Sequence, residues 1–309
     1  MRRLSLTLLL LLATIAYAFP NGTVPPFFEY QFKIGDQWEF RQITESSITQ
    51  KVMNKDQKIQ HHLEGEYLLE VLDYDHKRAK IAVTFQFISM NITTPMGRMQ
   101  MSSKSDQSSR PSDMDKTLNA LIGKTFYLYL SRRGYCSEIN GLSTLIDHAI
   151  TKATGNDFLS QHEVRQLMEE AFSTNSITDS FQKGLLIYPL HAVAQGEQWQ
   201  EFNQRFGQFT LDNETVWTLT NTNYDHLVYE GKTTFNDTPE SRQKGIHYQS
   251  PKGNAFTRII TDRTSGWPKQ VTQQQNFSMV MHSASHTDEI PMEVKATTSF
   301  TIKKIKREQ

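Results

Sequence analysis

The chain is poor in several things that would narrow its chemistry. Its 309 residues contain one cysteine, Cys136. A single thiol cannot staple the chain internally, so the fold must rest on packing and hydrogen bonds. There is no excess charge of either sign, with 33 Lys and Arg against 33 Asp and Glu. That balance excludes a phosphate-tracking surface, and no nucleic-acid partner is expected. No G-x-S-x-G elbow, S-x-x-K, H-E-x-x-H or phosphate loop occurs, which removes the commonest nucleophile, zinc and nucleotide families. No cofactor-binding motif is present, so none is expected. Past the first 18 residues no run is long and apolar enough to cross a bilayer as a helix.

The one long apolar run stands at the start. Arg2 and Arg3 precede Leu4 to Ile15, and "AYA" at 16–18 offers small residues before a cut after Ala18. This is the layout of a cleavable export signal. The expected address is periplasmic or secreted, with no membrane segment left in the mature chain. Five Asn-x-Ser/Thr sequons, at Asn21, Asn91, Asn213, Asn236 and Asn276, are glycan candidates only in a eukaryotic secretory route. A lone cysteine in an exported chain suits bacteria better.

What is abundant is alternation. "EYLLEVLDYD" places Tyr67, Leu69 and Val71 on one face, and "AKIAVTFQFI" places Ile81, Val83, Phe85 and Phe87 on one face. Period two marks half-buried strands. Phe126, Leu128 and Leu130 continue the pattern, with Tyr127 and Tyr129 opposite. Hairpins are expected around Trp217–Tyr229 and around the turn at 264–266. The last strand alternates Met292, Val294, Ala296, Phe300 and Ile302. Between the strand-rich halves the period changes to that of helices. Leu145 to Ala153 forms one stripe closed by Gly155, and Val164 to Phe172 another, with Ser160 and Glu163 read as its capping box. Shorter helices are expected over 114–121 and 177–186. Residues 102–112 read as a polar loop.

Three anchors recur in order: Gly35-Asp36-Gln37-Trp38 with Gly196-Glu197-Gln198-Trp199, Tyr74-Asp75-His76 with Tyr224-Asp225-His226, and Gly134-Tyr135 with Gly266-Trp267. They point to an internal duplication. Gly35 and Gly196 suit a turn, and Trp38 and Trp199 are large apolar anchors, so all four are read as structural. The alternative makes Asp36 and Glu197 an acid–base pair meeting between the halves. The Tyr-Asp-His triplets fall where strands turn, His61-His62 is an adjacent pair, and His282 and His286 are four apart off a helix. No metal site is expected. Cys136 lies in a strand-like run with no base beside it and reads as a packing residue.

The order of "KIGDQW", "TTPMGRMQMSSKSD", "LIGKTFYLYLSRRGYCSEINGL" and "YPLHAVAQGEQW" resembles an uncharacterised family of bacterial envelope proteins, a domain of unknown function with many predicted lipoproteins. The resemblance covers about residues 30–300 and implies no catalytic residues. Relatives often carry a lipid-attachment cysteine that is missing here, which implies a soluble periplasmic protein. Cys136 stands where relatives usually have an aliphatic residue.

The resulting expectation is an α+β protein. An N-terminal β unit spans 19–140, a helical insert 141–187 and a C-terminal β unit 188–309. The two units are related, curved, half-barrel-like antiparallel sheets. Curved sheets closed by helices commonly enclose an apolar cavity. The first functional expectation is a non-catalytic carrier for an apolar ligand or an envelope protein partner, with Phe85, Phe87, Phe126, Leu128, Trp217 and Phe300 as lining. The second is a structural or assembly factor of the envelope without a small ligand. A hydrolase using Asp36 or Glu197 comes third.

Overall fold

The computed structural model describes residues 28–52, 55–104, 111–203, 212–235, 242–243, 246–283 and 286–305. The signal segment and the sequons at Asn21 and Asn236 lie outside the described residues. The first strands are β1 (Gln37–Val52), β2 (Lys55–Tyr74), β3 (Arg78–Thr94) and β4 (Gly97–Ser102). Helix α1 (Asp113–Leu121) leads to β5 (Thr125–Ser131) and β6 (Cys136–Asn140). Three helices follow: α2 (Leu142–Thr154), α3 (Phe158–Phe172) and α4 (Thr174–Lys183). The second run is β7 (Gln198–Asn203), β8 (Asn213–Thr222), β9 (His226–Phe235), β10 (Arg242–Gln243), β11 (Ile246–Asp262), β12 (Pro268–Ser283) and β13 (His286–Lys304).

Among the described residues, thirteen strands join one antiparallel sheet, ordered β6-β5-β3-β2-β1-β13-β12-β11-β9-β8-β7, with β4 on β3 and β10 on β11. Each half is a meander. The seam is β1 against β13, paired from Trp38↔Lys304 to Gln50↔Met292. Two separate sheets were expected from the sequence. A single one forms because two long strands with free edges satisfy each other's ladder groups at that seam.

The helices cover one face, here called the inner face. Its apolar residues are those that alternate in the sequence: Trp38, Phe40, Leu69, Ile81, Phe126 and Phe300 are buried. Phe181 of α4 packs on Phe40 and Tyr67 at ring-centroid distances of 5.0 and 5.3 Å. Phe172 of α3 meets Phe85 at 6.5 Å. On the other face of β5, the Lys80 ammonium lies over Tyr127 and the Arg78 guanidinium over Tyr129 at 4.5 and 4.4 Å, so cationic heads cover those rings.

Three local expectations need correction. Phe87 does not share a face with Phe85. A β-bulge places Tyr67 opposite Phe85 and Glu66 opposite Phe87, and the extra residue turns Phe87 to the outer face, under the Lys104 ammonium. The cap of α3 is Asp157, not Ser160: the Asp157 carboxylate accepts the Leu159 and Ser160 N–H groups at 3.0 and 3.3 Å. The capping box belongs instead to α1, between Ser112 and Asp115. Helix α4 ends at Lys183, a turn earlier than its apolar pattern suggested.

The two Gly-acid-Gln-Trp stretches open β1 and β7 in the same way. Gly35 and Gly196 sit at φ 84° and 90°, the left-handed region that glycine enters without Cβ strain. Gly35 N–H donates to Val71 O and Val71 N–H to Asp36 O. Gly196 N–H donates to Leu219 O and Leu219 N–H to Glu197 O. Asp36 N–H and Glu197 N–H each close a turn, on Lys33 O and Ala194 O. The other two anchor pairs are less alike. Asp75 opens its turn and accepts the Lys77 and Arg78 N–H groups, whereas Asn223 opens the second one. Tyr135 is exposed, whereas Trp267 is buried and stacked on Trp38 at 4.1 Å.

Candidate functional site

The shared register lets the two halves be read position by position along the inner face. In the first half a row crosses three strands as Phe40↔Tyr67↔Phe85. In the second half the same row reads Glu201↔Thr215↔Thr233. Three rings are replaced by one carboxyl and two hydroxyls, and the space the rings would fill is left open. A pocket of about 400 Å³ lies there, between α4 with residues 185–187 and the inner face of β7, β8, β9, β11 and β12.

Helix α4 serves both halves. Ile177 and Phe181 are buried, and Phe181 packs on the rings of the first half. Thr178, Asp179, Gln182 and Lys183 line the pocket on the second. The helix is held in place by side-chain bonds. Ser180 Oγ donates to Gln42 Oε1, Gln182 Nε2 donates to Gly134 O at 2.9 Å, and Cys136 N–H donates to Gln182 Oε1 at 3.0 Å.

The wall chemistry is amphipathic. Leu185, Ile187, Trp217 and Ile259 supply apolar surface. Trp217 lies flat on the sheet because Gly231 opposite it has no side chain: a Cβ there would stand 2.8 Å from the indole. The polar groups are paired among themselves, with Thr215 to Thr233 at 2.8 Å and Gln273 Nε2 to Thr257 Oγ1 at 3.2 Å. Glu201 accepts from Trp217 Nε1 at 3.1 Å and from Asn203 Nδ2 at 3.0 Å. Burial raises the Glu201 carboxyl above its ordinary range, against those two hydrogen bonds and Arg133, which pull it down. Burial lowers the Lys183 ammonium, against Asp179 one turn away. Both shifts favour the neutral forms.

Of the residues expected to line a cavity, Trp217 alone lines this pocket. Phe85, Phe126, Leu128 and Phe300 are fully buried in the packed core of the first half and the seam. Phe87 is on the outer face. The anchors Trp38 and Trp199 are buried, Trp199 stacked on Trp217 at 6.3 Å. Asp36 and Glu197 do not meet. Six strand positions separate β1 from β7, Lys304 Nζ binds Asp36 at 2.6 Å, and Glu197 turns back on the Ala194 N–H. Burial pushes the Cys136 thiol up to about 12, which suits packing and not nucleophilic attack. Among the described residues no three His, Cys, Asp or Glu converge as a metal site. His61 and His62 point to opposite faces of β2. Asn213, one of the sequons, is 3% exposed and lines the pocket.

The pocket residues missed by sequence reading are Glu201, Thr215, Thr233, Thr257 and Gln273. They occupy inward positions of the strands, and polar residues at such positions are the signal that could have disclosed them.

The sequence profile of a family of unknown function, DUF6263, matches residues 76–268. The chain belongs to that family. The match runs from the β2–β3 turn to the first residue of β12, so it takes in the helices and every pocket residue except Gln273. No curated protein matches this DUF6263 chain. Among solved structures, one described as lipid-protein interactions in lipovitellin aligns at a TM-score of 0.46 and 10% identity, over 90% of this chain and 26% of that one. The chain thus spans about a quarter of the lipovitellin chain. The outer membrane protein OprG from Pseudomonas aeruginosa aligns at 0.22 and 8%, over 87% and 95% of the two chains. A putative outer membrane lipoprotein-sorting protein domain from Vibrio parahaemolyticus aligns at 0.13 and 9%, over 87% of each. These likenesses are too distant to carry an argument about fold or ligand. Among the described residues no helix is long and apolar enough to cross a membrane.

Proposed function

We propose that this protein is a non-catalytic carrier of the cell envelope that holds one amphipathic ligand between α4 and the second half of its sheet. The observation that carries the reading is the exchange of Phe40, Tyr67 and Phe85 for Glu201, Thr215 and Thr233 at matching positions of otherwise equivalent strands. One unit is filled by its own rings. The other keeps about 400 Å³ open, within the roughly 300–1,000 Å³ usual for small-molecule sites. Its apolar wall would take the ligand's body and the Glu201 and Asn203 side its polar head. The ligand is therefore amphipathic, a refinement of the wholly apolar one expected from the alternating strands. The export signal supports an envelope address, and the matching turns of β1 and β7 support descent of both units, 19–140 and 188–309, from one duplicated, curved sheet. Gly35, Trp38, Gly196 and Trp199 then serve as the anchors that start each unit.

The test is native mass spectrometry of the chain purified from periplasm. A bound mass, released on denaturation, is expected in the wild type and lost in Thr233→Tyr, which places a ring where Phe85 stands in the other half. A bare mass for both proteins, together with no saturable change of tryptophan fluorescence on titration with a lysophospholipid or a twelve-carbon fatty acid, would sink the reading.

A further inference from the structure

The outer face of the same sheet carries a second, larger depression that the carrier reading does not use. It measures about 850 Å³ and crosses β4, β3, β2, β1, β13, β12 and β11. Its floor is set by register. One rung runs Phe256↔Gln274↔Thr297↔Glu45↔His62↔Asn91. The next runs Asn254↔Asn276↔Lys295↔Ser47↔Gln60↔Thr93, ending on Arg98. Seven strands are six spacings of about 4.8 Å, so the track is roughly 29 Å long, running across the strands.

Three features select its ligand. First, the surface is dominated by primary amides and hydroxyls, which both donate and accept hydrogen bonds. Second, charge is sparse and mixed: Glu45 faces His62 at 3.6 Å, Lys295 is paired with Glu293 at 2.8 Å, and Arg98 stands apart at the far end of the track. That arrangement gives a polyanion no continuous cationic surface. Third, every floor strand except β4, at the end of the trough, is paired on both sides or covered by a hairpin arm, so a peptide meets no free ladder along the rest of the trough. Phe256, half-buried at one end, offers an apolar ring, and the Asn91 carboxamide oxygen is buried with no hydrogen-bond partner among the described residues.

We infer that the outer trough is a binding site for a linear neutral glycan, laid across the strands over the two amide-bearing rungs and stacked at one end on Phe256. Sugar hydroxyls are donors and acceptors like the amides they would meet, and a sugar ring's apolar face suits an aromatic side chain. A track of this length takes a chain of several sugar units better than a single one. The inference is independent of the inner pocket.

The experiment uses the full mature chain, ¹⁵N-labelled, titrated by NMR with cellohexaose, maltohexaose and chitohexaose. At least one hexasaccharide is expected to shift resonances of β1, β12 and β13 saturably, with the Asn and Gln side-chain amides of the trough among them. The double variant Gln274→Ala/Asn276→Ala should weaken that binding by about tenfold, the equivalent of roughly one and a half neutral hydrogen bonds lost. Asn91→Ala, at the far end of the track, should weaken it less, and Glu201→Gln in the inner pocket not at all. Thermal melting of each variant confirms that these outer-face changes leave the fold intact. No saturable shift with any of the three sugars overturns the inference. So does binding that is indifferent to both trough variants, or that a trough variant shares with Glu201→Gln.

Discussion

The two halves of the inner face share their starting turns and strand register, yet one is solid and the other hollow. Around β1–β3 the matched row is Phe40, Tyr67 and Phe85, closed over by Phe181. Around β7–β9 it is Glu201, Thr215 and Thr233, and α4 presents Asp179 and Lys183 instead of a ring. The scaffold therefore does not decide which half has room. Side-chain volume along one row decides it, while the glycine turns and tryptophans keep both rows in place. Packed rings and open space are thereby divided between halves, since rings that interlock stabilise and a polar hollow does not.

The sharpest way to break this comparison is at its first position. Phe40→Ala should cost about 3–5 kcal/mol in denaturant unfolding, because it empties a site between Phe181, Tyr67 and Phe300. An effect near that of an exposed substitution would mean that the first half is not the solid one. The next test concerns the shared turns. Gly35→Ala and Gly196→Ala each force a Cβ into the left-handed region and should each cost about 1–2 kcal/mol. Costs that differ severalfold would show that the two openings are not equivalent. Thr215→Val keeps the shape but strips Thr233 of its partner, and should cost about 1 kcal/mol while weakening any ligand whose head uses that side.

The smallest effect is a sign. The Glu201 carboxyl is raised above its unfolded value by burial. The folded state thus holds a proton that the unfolded state releases, and the wild type loses stability as pH rises from the ordinary carboxylate range through the raised folded value. Glu201→Gln removes that loss while keeping an acceptor for Trp217 Nε1. The variant should melt higher than wild type at neutral pH, and the gap should close on acidification. A gap that widens in acid would reverse the assignment.

Much of the frame was legible in the residues. Alternation at Tyr67–Val71, Ile81–Phe85, Phe126–Leu130 and Met292–Ile302 marks the inner face, and the 3.6-residue stripes mark α2 and α3. Four things were not legible, each for a physical reason. The bulge after Phe85 adds one residue, which flips Phe87 without leaving a compositional trace. The β1–β13 seam joins segments about 250 residues apart, and no local pattern carries that information. The pocket is made of polar side chains at inward positions, and a search for apolar linings passes over them. Asp157 and Ser160 both fit an N-cap by type, and only backbone direction chooses between them.

The seam also bears on how the protein is made. Thr44 bonds Thr298 across it at 3.1 Å, tying the first strand to the last. Until residues 286–304 have been delivered, β1 and β12 each present a long unsatisfied edge, the kind that recruits neighbouring chains into aggregates. The last strand made is therefore the step that ends the hazard.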